Sequence, residues 1–246
     1  MPDLWQETTI QGHPVEFYDA PSGGSAPFAL LFLHPVGNET LRDQPAFVRW
    51  LDEWHLPCVC PMAPYTWWSD QVWPDFDPEL SAEQWLLNHV LPWMQHTWTL
   101  QAQRIGLFGI SMGGQGALRI GFKHPKRFPV VAGIASAIEY HAYYGYGLSL
   151  DAMYASKEQC RQDTVPMHIH PHEQPPFIRF CCDPTDADWY RGNDRLHEKL
   201  KALGVAHECD LTTEAGGHSW EYFTAMAEPT LRFLHESLQT QSRRLL

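Results

Sequence analysis

The stretch Arg104-Ile105-Gly106-Leu107-Phe108-Gly109-Ile110-Ser111-Met112-Gly113-Gly114-Gln115-Gly116-Ala117-Leu118 decides the fold. Residues 105–110 form a short apolar run that reads as a buried strand, and 112–122 read as a helix. Between them, Gly109-Ile110-Ser111-Met112-Gly113 spells G-x-S-x-G. This is the pattern of a sharp strand-to-helix turn that lifts its serine to the top of an α/β sheet. Such a turn brings backbone close to neighbouring strands, so the positions two before and two after the serine must lack bulk. Gly114, Gly116 and Ala117 then give the helix a thin face that can lie against the sheet. The helix N-terminus points N–H groups and a positive dipole end beside Ser111, where an oxyanion would form. The same five-residue pattern occurs in ordinary loops. Here the strand before it and the helix after it supply the setting the pattern requires.

Outward from this turn, strands and helices alternate. Residues 8–18, with Gly12-His13-Pro14 in the middle, read as an N-terminal hairpin. The Pro/Gly/Ser stretch 19–27 is too short for a domain linker. Residues 28–33 are continuously apolar, as in a central parallel strand buried on both faces. Phe47, Trp50, Leu51 and Trp54 follow at helical spacing, and 58–60 form another short strand. Ser81-Ala-Glu-Gln84 has capping-box spacing, and Pro92 should kink or split the helix it opens. Residues 129–135, 177–182 and 206–211 read as further strands. Leu196, Leu200 and Leu203 mark a helix, 223–238 a single closing helix, and 242–246 a short tail. The expectation is a single α/β domain over 1–246, with a mainly parallel central sheet and helices on both faces. Residues 139–175 would be a lid or a connecting insertion within it.

With 246 residues the chain can bury a large core. Its net charge of −12 comes without a clustered basic face, which argues against nucleic acid or an anionic membrane as partner. Oligomeric state stays open, a homo-oligomer included. Cys58, Cys60, Cys160, Cys181, Cys182 and Cys209 lack C-x-x-C spacing, so buried free thiols are expected, with disulfides as the alternative. No basic segment followed by an apolar one opens the chain, and no stretch has the length of a membrane span. The expected location is therefore cytoplasmic.

A serine hydroxyl needs a base to take its proton and a carboxylate to orient that base. Asp183-Pro-Thr-Asp186-Ala-Asp188 follows the strand at 177–182, and Gly216-Gly217-His218 follows the strand at 206–211. The order serine, acid, histidine is that of α/β-hydrolases, and each member follows a strand. Ser111 is thus the candidate nucleophile and His218 the candidate base. Asp186 is the favoured acid, with Asp188 and then Asp183 as alternatives. The oxyanion donors would be the N–H of Met112, just after the nucleophile, and one from the loop His34-Pro35-Val36-Gly37. Pro35 has no N–H, which leaves Val36, with Gly37 second.

Phe108 to Leu118, together with Gly217-His218-Ser219-Trp220-Glu221-Tyr222, resembles the Putative esterase family. That family includes esterase D, S-formylglutathione hydrolase, feruloyl esterases and the mycolyltransferases. The resemblance implies an α/β-hydrolase fold and a Ser-Asp-His triad, with Ser111 as nucleophile, His218 as base and the acid within 183–188. The chain departs from many members in having His34-Pro35 where they have His-Gly, and in its longer acidic loop.

Trp67 and Trp68, with Tyr65 and Trp73, are candidate pocket walls, as are Tyr144 in the tyrosine-rich segment and Trp220 beside His218. For any single aromatic, plain packing is the competing explanation. His168-Ile-His170-Pro-His172 alternates as a metal-binding strand would, but the prolines around it favour an extended connection, and no further ligand is evident nearby. No metal or cofactor is implied. The expected activity is that of a cytoplasmic serine esterase cleaving a small-molecule ester or thioester through an acyl-enzyme. The alternatives are an acyltransferase or peptidase on the same triad, or a non-catalytic carbohydrate- or lipid-binding relative.

Overall fold

The computed structural model describes residues 4–20 and 26–244. Most of the short turn expected at 19–27, and the last two residues of the tail, lie outside the described residues. β1 (Trp5–Ile10) and β2 (His13–Tyr18) pair antiparallel with Ile10 opposite His13. The two turn residues, Gln11 and Gly12, both take left-handed backbone, at φ 51° and 84°. That geometry matches the twist of a two-residue hairpin. β2 then pairs antiparallel with β4 (Cys58–Pro61). β3 (Ala29–Leu33), β5 (Ile105–Ile110), β6 (Val130–Ile134), β7 (Phe177–Cys181) and β8 (Glu208–Asp210) complete a parallel run. The strand order is β1-β2-β4-β3-β5-β6-β7-β8.

The helices are α1 (Pro45–Glu53), α2 (Ala82–Trp85), α3 (Leu91–Thr97), α4 (Met112–Lys123), α5 (Leu150–Met153), α6 (Lys157–Gln162), α7 (Tyr190–Ala202), α8 (Trp220–Ala225) and α9 (Ala227–Arg244). The alternation of strand side chains places two of them. A side chain at Gly106 would touch Leu234 and Leu238 of α9. On the other face, Gly121 and Leu118 of α4 meet Val131 and Gly133 of β6, the register partners of Leu107 and Gly109. Helices therefore cover both faces, and every residue of β3, β5 and β6 is buried.

Proline decides two helix breaks. Ser81 caps α2 by accepting the N–H of Gln84. The chain then passes through a π-helical turn, Leu86–Val90, before α3, because Pro92 has no N–H to offer its helix. The single closing helix expected at 223–238 is instead two. α8 starts earlier, at a cap made by Ser219, and ends before Met226. Pro229 lies in the first turn of α9 and cannot donate to the carbonyl of Ala225.

The segment between β6 and β7 is fastened to α4 by a buried charge. Arg119 has no exposed surface and pairs with Glu83 of α2 and with Asp163. Asp163 also accepts the hydroxyl of Tyr154 at 2.6 Å. None of the six cysteines is disulfide-bonded, and all but the half-buried Cys209 are buried. Among the described residues no helix is long and apolar enough to cross a membrane.

Candidate active site

The parallel strands all end on one edge, and the loops after β3, β5, β7 and β8 meet there. Ser111 stands between β5 and α4 with φ 56° and ψ −116°. A non-glycine residue in such a conformation carries about 1–3 kcal/mol of strain. Three hydrogen bonds hold it. The Ser111 N–H donates to Ile134 O at 2.9 Å, and its carbonyl accepts from Gln115 N–H at 3.1 Å and Ala137 N–H at 3.0 Å. The glycines of the motif are explained by contact. A Cβ at Gly113 would collide with the carbonyl of Leu33, and one at Gly109 with the backbone of Gly113.

His218 Nε2 lies 2.9 Å from the Ser111 hydroxyl oxygen, and its Nδ1 lies 2.8 Å from Asp186 Oδ2. With Asp186 ionised, Nδ1–H donates to the carboxylate and Nε2 accepts from the serine hydroxyl. Asp186 is 2% exposed. Its Oδ1 accepts the N–H groups of Asp188 at 3.1 Å and Trp189 at 3.0 Å, and the Cys182 thiol donates to Oδ2 at 3.6 Å. Burial alone would raise its pKa. The bond and charge of His218 and the two N–H groups outweigh burial and hold the carboxyl below the usual range.

The alternative acids have other partners. Asp188 is exposed and accepts the hydroxyl of Tyr143 at 2.8 Å. Asp183 is buried and accepts from Thr185, Ala215 and Gly217.

Met112 is the first residue of α4, so its N–H has no carbonyl within its own helix to bond. Val36 sits in a turn closed by Asn38 N–H to Pro35 O at 3.1 Å. The loop is held from below by His34, which has no exposed surface. Its Nδ1–H donates to Pro35 O, and its Nε2 accepts the Ala63 N–H at 2.9 Å. Burial pushes its pKa down to about 4, so the ring is neutral near pH 7. Sequence reasoning passed over this histidine, because a supporting role needs a partner 29 residues away.

The aromatic expectations divide. Trp68 has no exposed surface, so it cannot wall a pocket. It fills the space left by the missing side chain of Gly116 and donates its indole N–H to His34 O at 3.2 Å. Trp67, 6% exposed, stacks on Tyr140 with centroids 5.3 Å apart and donates to Ser149 at 3.1 Å. Tyr144 is half-buried with its hydroxyl on Tyr154 O, and Trp220 is half-buried against Phe223. The rings beside the imidazole are Phe223 at 5.2 Å and Trp189 at 6.5 Å, neither singled out from sequence. Tyr65 and Trp73 line a surface cavity of about 550 Å³ with Leu148, Ser149 and Asp151. His168 bonds Asp163 at 3.2 Å, and among the described residues no three metal-ligating side chains are grouped as an ion would need.

A serine at the β5–α4 turn, with an aspartate after β7 and a histidine after β8 in this strand order, defines an α/β-hydrolase. Several solved structures share the fold. FphF of Staphylococcus aureus, a fluorophosphonate-binding serine hydrolase with substrate bound, aligns with a TM-score of 0.75 at 13% identity, over 94% of this chain and 96% of its own. An S-formylglutathione hydrolase from Agrobacterium tumefaciens aligns with a TM-score of 0.74 at 18% identity, over 95% of this chain and 94% of its own. A ferulic acid esterase aligns with a TM-score of 0.72 at 15% identity, over 94% of this chain and 97% of its own. No curated protein matches the sequence. The chain belongs to the Putative esterase family, whose model matches residues 77–234, and it is a carboxylic ester hydrolase.

Proposed function

We propose that this esterase is a serine carboxylesterase working through an acyl-enzyme on Ser111. The observation that carries the reading is the hydrogen-bonded series Ser111, His218, Asp186, with separations of 2.9 and 2.8 Å. His218 Nε2 takes the hydroxyl proton as Ser111 Oγ attacks the substrate carbonyl. The oxyanion that forms is met by the N–H groups of Met112 and Val36. The imidazolium, steadied by Asp186, passes its proton to the leaving alcohol or thiol, and the acyl group stays on Ser111. Water, deprotonated by His218, then attacks the acyl-enzyme, and the acid departs as the proton returns to Ser111.

The substrate class proposed is a small-molecule ester or thioester. Neighbours in fold include an S-formylglutathione hydrolase and a ferulic acid esterase. The whole chain acts as one domain, with 139–175 as a connecting insertion fastened through Asp163 and Arg119. Six unpaired thiols suit a reducing compartment such as the cytoplasm. The test is turnover of short-chain aryl esters by Ser111→Ala. A loss of at least about 10⁴-fold in kcat with an unchanged melting temperature is expected. Turnover near the wild-type rate would reject the proposal.

A further inference from the structure

The loop after β7 carries two buried carboxylates, and they face different partners. Asp186 bonds the imidazole. Asp183, with no exposed surface, bonds its own turn and the loop after β8 instead. Its Oδ1 accepts the N–H and the hydroxyl of Thr185, both at 2.7 Å. Its Oδ2 accepts the N–H of Ala215 at 2.6 Å and of Gly217 at 2.9 Å. Its own carbonyl accepts the N–H of Asp186 at 3.0 Å. Burial alone would raise its pKa, but the N–H and hydroxyl donors outweigh burial and hold it down at about 2. One side chain thus joins the turn that bears the acid to the loop that bears the base, across 34 residues of sequence.

That loop needs an anchor. It leaves β8, a three-residue strand at the edge of the sheet, and runs through Gly216 and Gly217 at φ 90° and 70°. Glycines in the left-handed region lose more freedom on ordering than other residues. Beyond His218 the chain is fixed by Ser219, which caps α8. Before His218 it is fixed by Asp183.

We propose that Asp183 is a positioning residue for the triad: it clamps residues 215–217 onto the 183–186 turn, and so sets where the His218 imidazole stands relative to Asp186 and Ser111. This rests on the triad reading above. The four donors divide into two pairs, one pair on each carboxylate oxygen. An amide has one oxygen, so Asp183→Asn serves one pair and turns its own N–H groups against the other. A displacement of the imidazole by about 1 Å costs on the order of 10²-fold in rate.

The test uses the full chain as wild type, Asp183→Ala, Asp183→Asn and Ser111→Ala, with p-nitrophenyl acetate as substrate. Rates of wild type and the Asp183 variants are expressed per site labelled to completion by a fluorophosphonate, so unfolded protein drops out; the Ser111→Ala rate is expressed per mole of protein. Asp183→Asn keeps the side-chain volume and guards against simple failure to fold. The expected result is kcat per labelled site lowered about 10- to 100-fold in both Asp183 variants, with KM within about threefold. The His218 Nδ1 proton resonance should broaden through exchange with water. Per-site kcat within about twofold of wild type in both variants would overturn the clamp. So would a kcat loss with that resonance still sharp, since the imidazole would then be held without Asp183. Full turnover by Ser111→Ala would defeat the triad reading and the clamp with it, whereas full turnover confined to the Asp183 variants defeats the clamp alone.

Discussion

Replacing Asp186 with Asn tests the triad without changing side-chain size. The outcome follows from which way the amide must face. Asp186 Oδ1 accepts two backbone N–H groups, from Asp188 and Trp189, at 3.1 and 3.0 Å. If the amide nitrogen took that place, both bonds would be lost, each worth about 1 kcal/mol, and donor would face donor. The oxygen therefore stays at the Oδ1 position and the NH₂ group takes the Oδ2 position, which lies 2.8 Å from His218 Nδ1. There it donates to Nδ1 and forces the ring proton onto Nε2. An imidazole protonated at Nε2 cannot accept the proton of Ser111. The expected loss is about 10⁴-fold in kcat, equivalent to about 5.5 kcal/mol of barrier. Steady-state kinetics on a neutral aryl ester reads it, with KM little changed and a far-ultraviolet spectrum like the wild type. A loss of less than tenfold would mean that the imidazole keeps its working tautomer without the carboxylate, contrary to the role assigned to Asp186.

His34 carries a pH dependence of stability. Its folded pKa of about 4 lies below the unfolded value of about 6.5, so its contribution is complete above pH 6.5 and is lost as pH falls toward 4. Between pH 7 and 5 this amounts to about 2 kcal/mol, to be read as the difference between wild type and His34→Gln in urea unfolding; equal pH slopes for the two proteins would count against it. Arg119→Met leaves Glu83 and Asp163 without their buried partner, at a cost of about 3–5 kcal/mol. A melting temperature lowered by roughly 10 °C is expected, and a shift under about 2 °C would show that the network contributes little. Gly113→Ala drives a methyl group into the carbonyl of Leu33 and should abolish esterase activity together with at least about 3 kcal/mol of stability. An active, stable Gly113→Ala protein would mean that the turn has room the structure denies.

Legibility in the sequence tracked locality. The strand, the turn and the helix around Ser111 were readable because one sharp turn imposes its steric demands within five residues. The break at Pro92 was readable for the same reason, since the missing N–H belongs to the residue itself. The break before α9 was overlooked although Pro229 signals it, because the apolar spacing continues across Met226. Trp68 shows the limit for pockets. Its burial depends on Gly116, which lies on a helix 48 positions away and offers no local sign of what fills its missing side chain. The three aspartates of the acidic loop could be ranked but not assigned from sequence. What separates them is which loop each faces, and two of the partners of Asp183, Ala215 and Gly217, lie beyond β8.

The proposed mechanism requires a covalent acyl intermediate on Ser111. The most direct measurement is peptide mass mapping of protein quenched in acid during turnover of a slowly hydrolysed aryl ester. An acyl group on the peptide containing Ser111, absent from Ser111→Ala, is the expected result. Turnover with no acyl adduct on Ser111, or with the adduct on another residue, would contradict it.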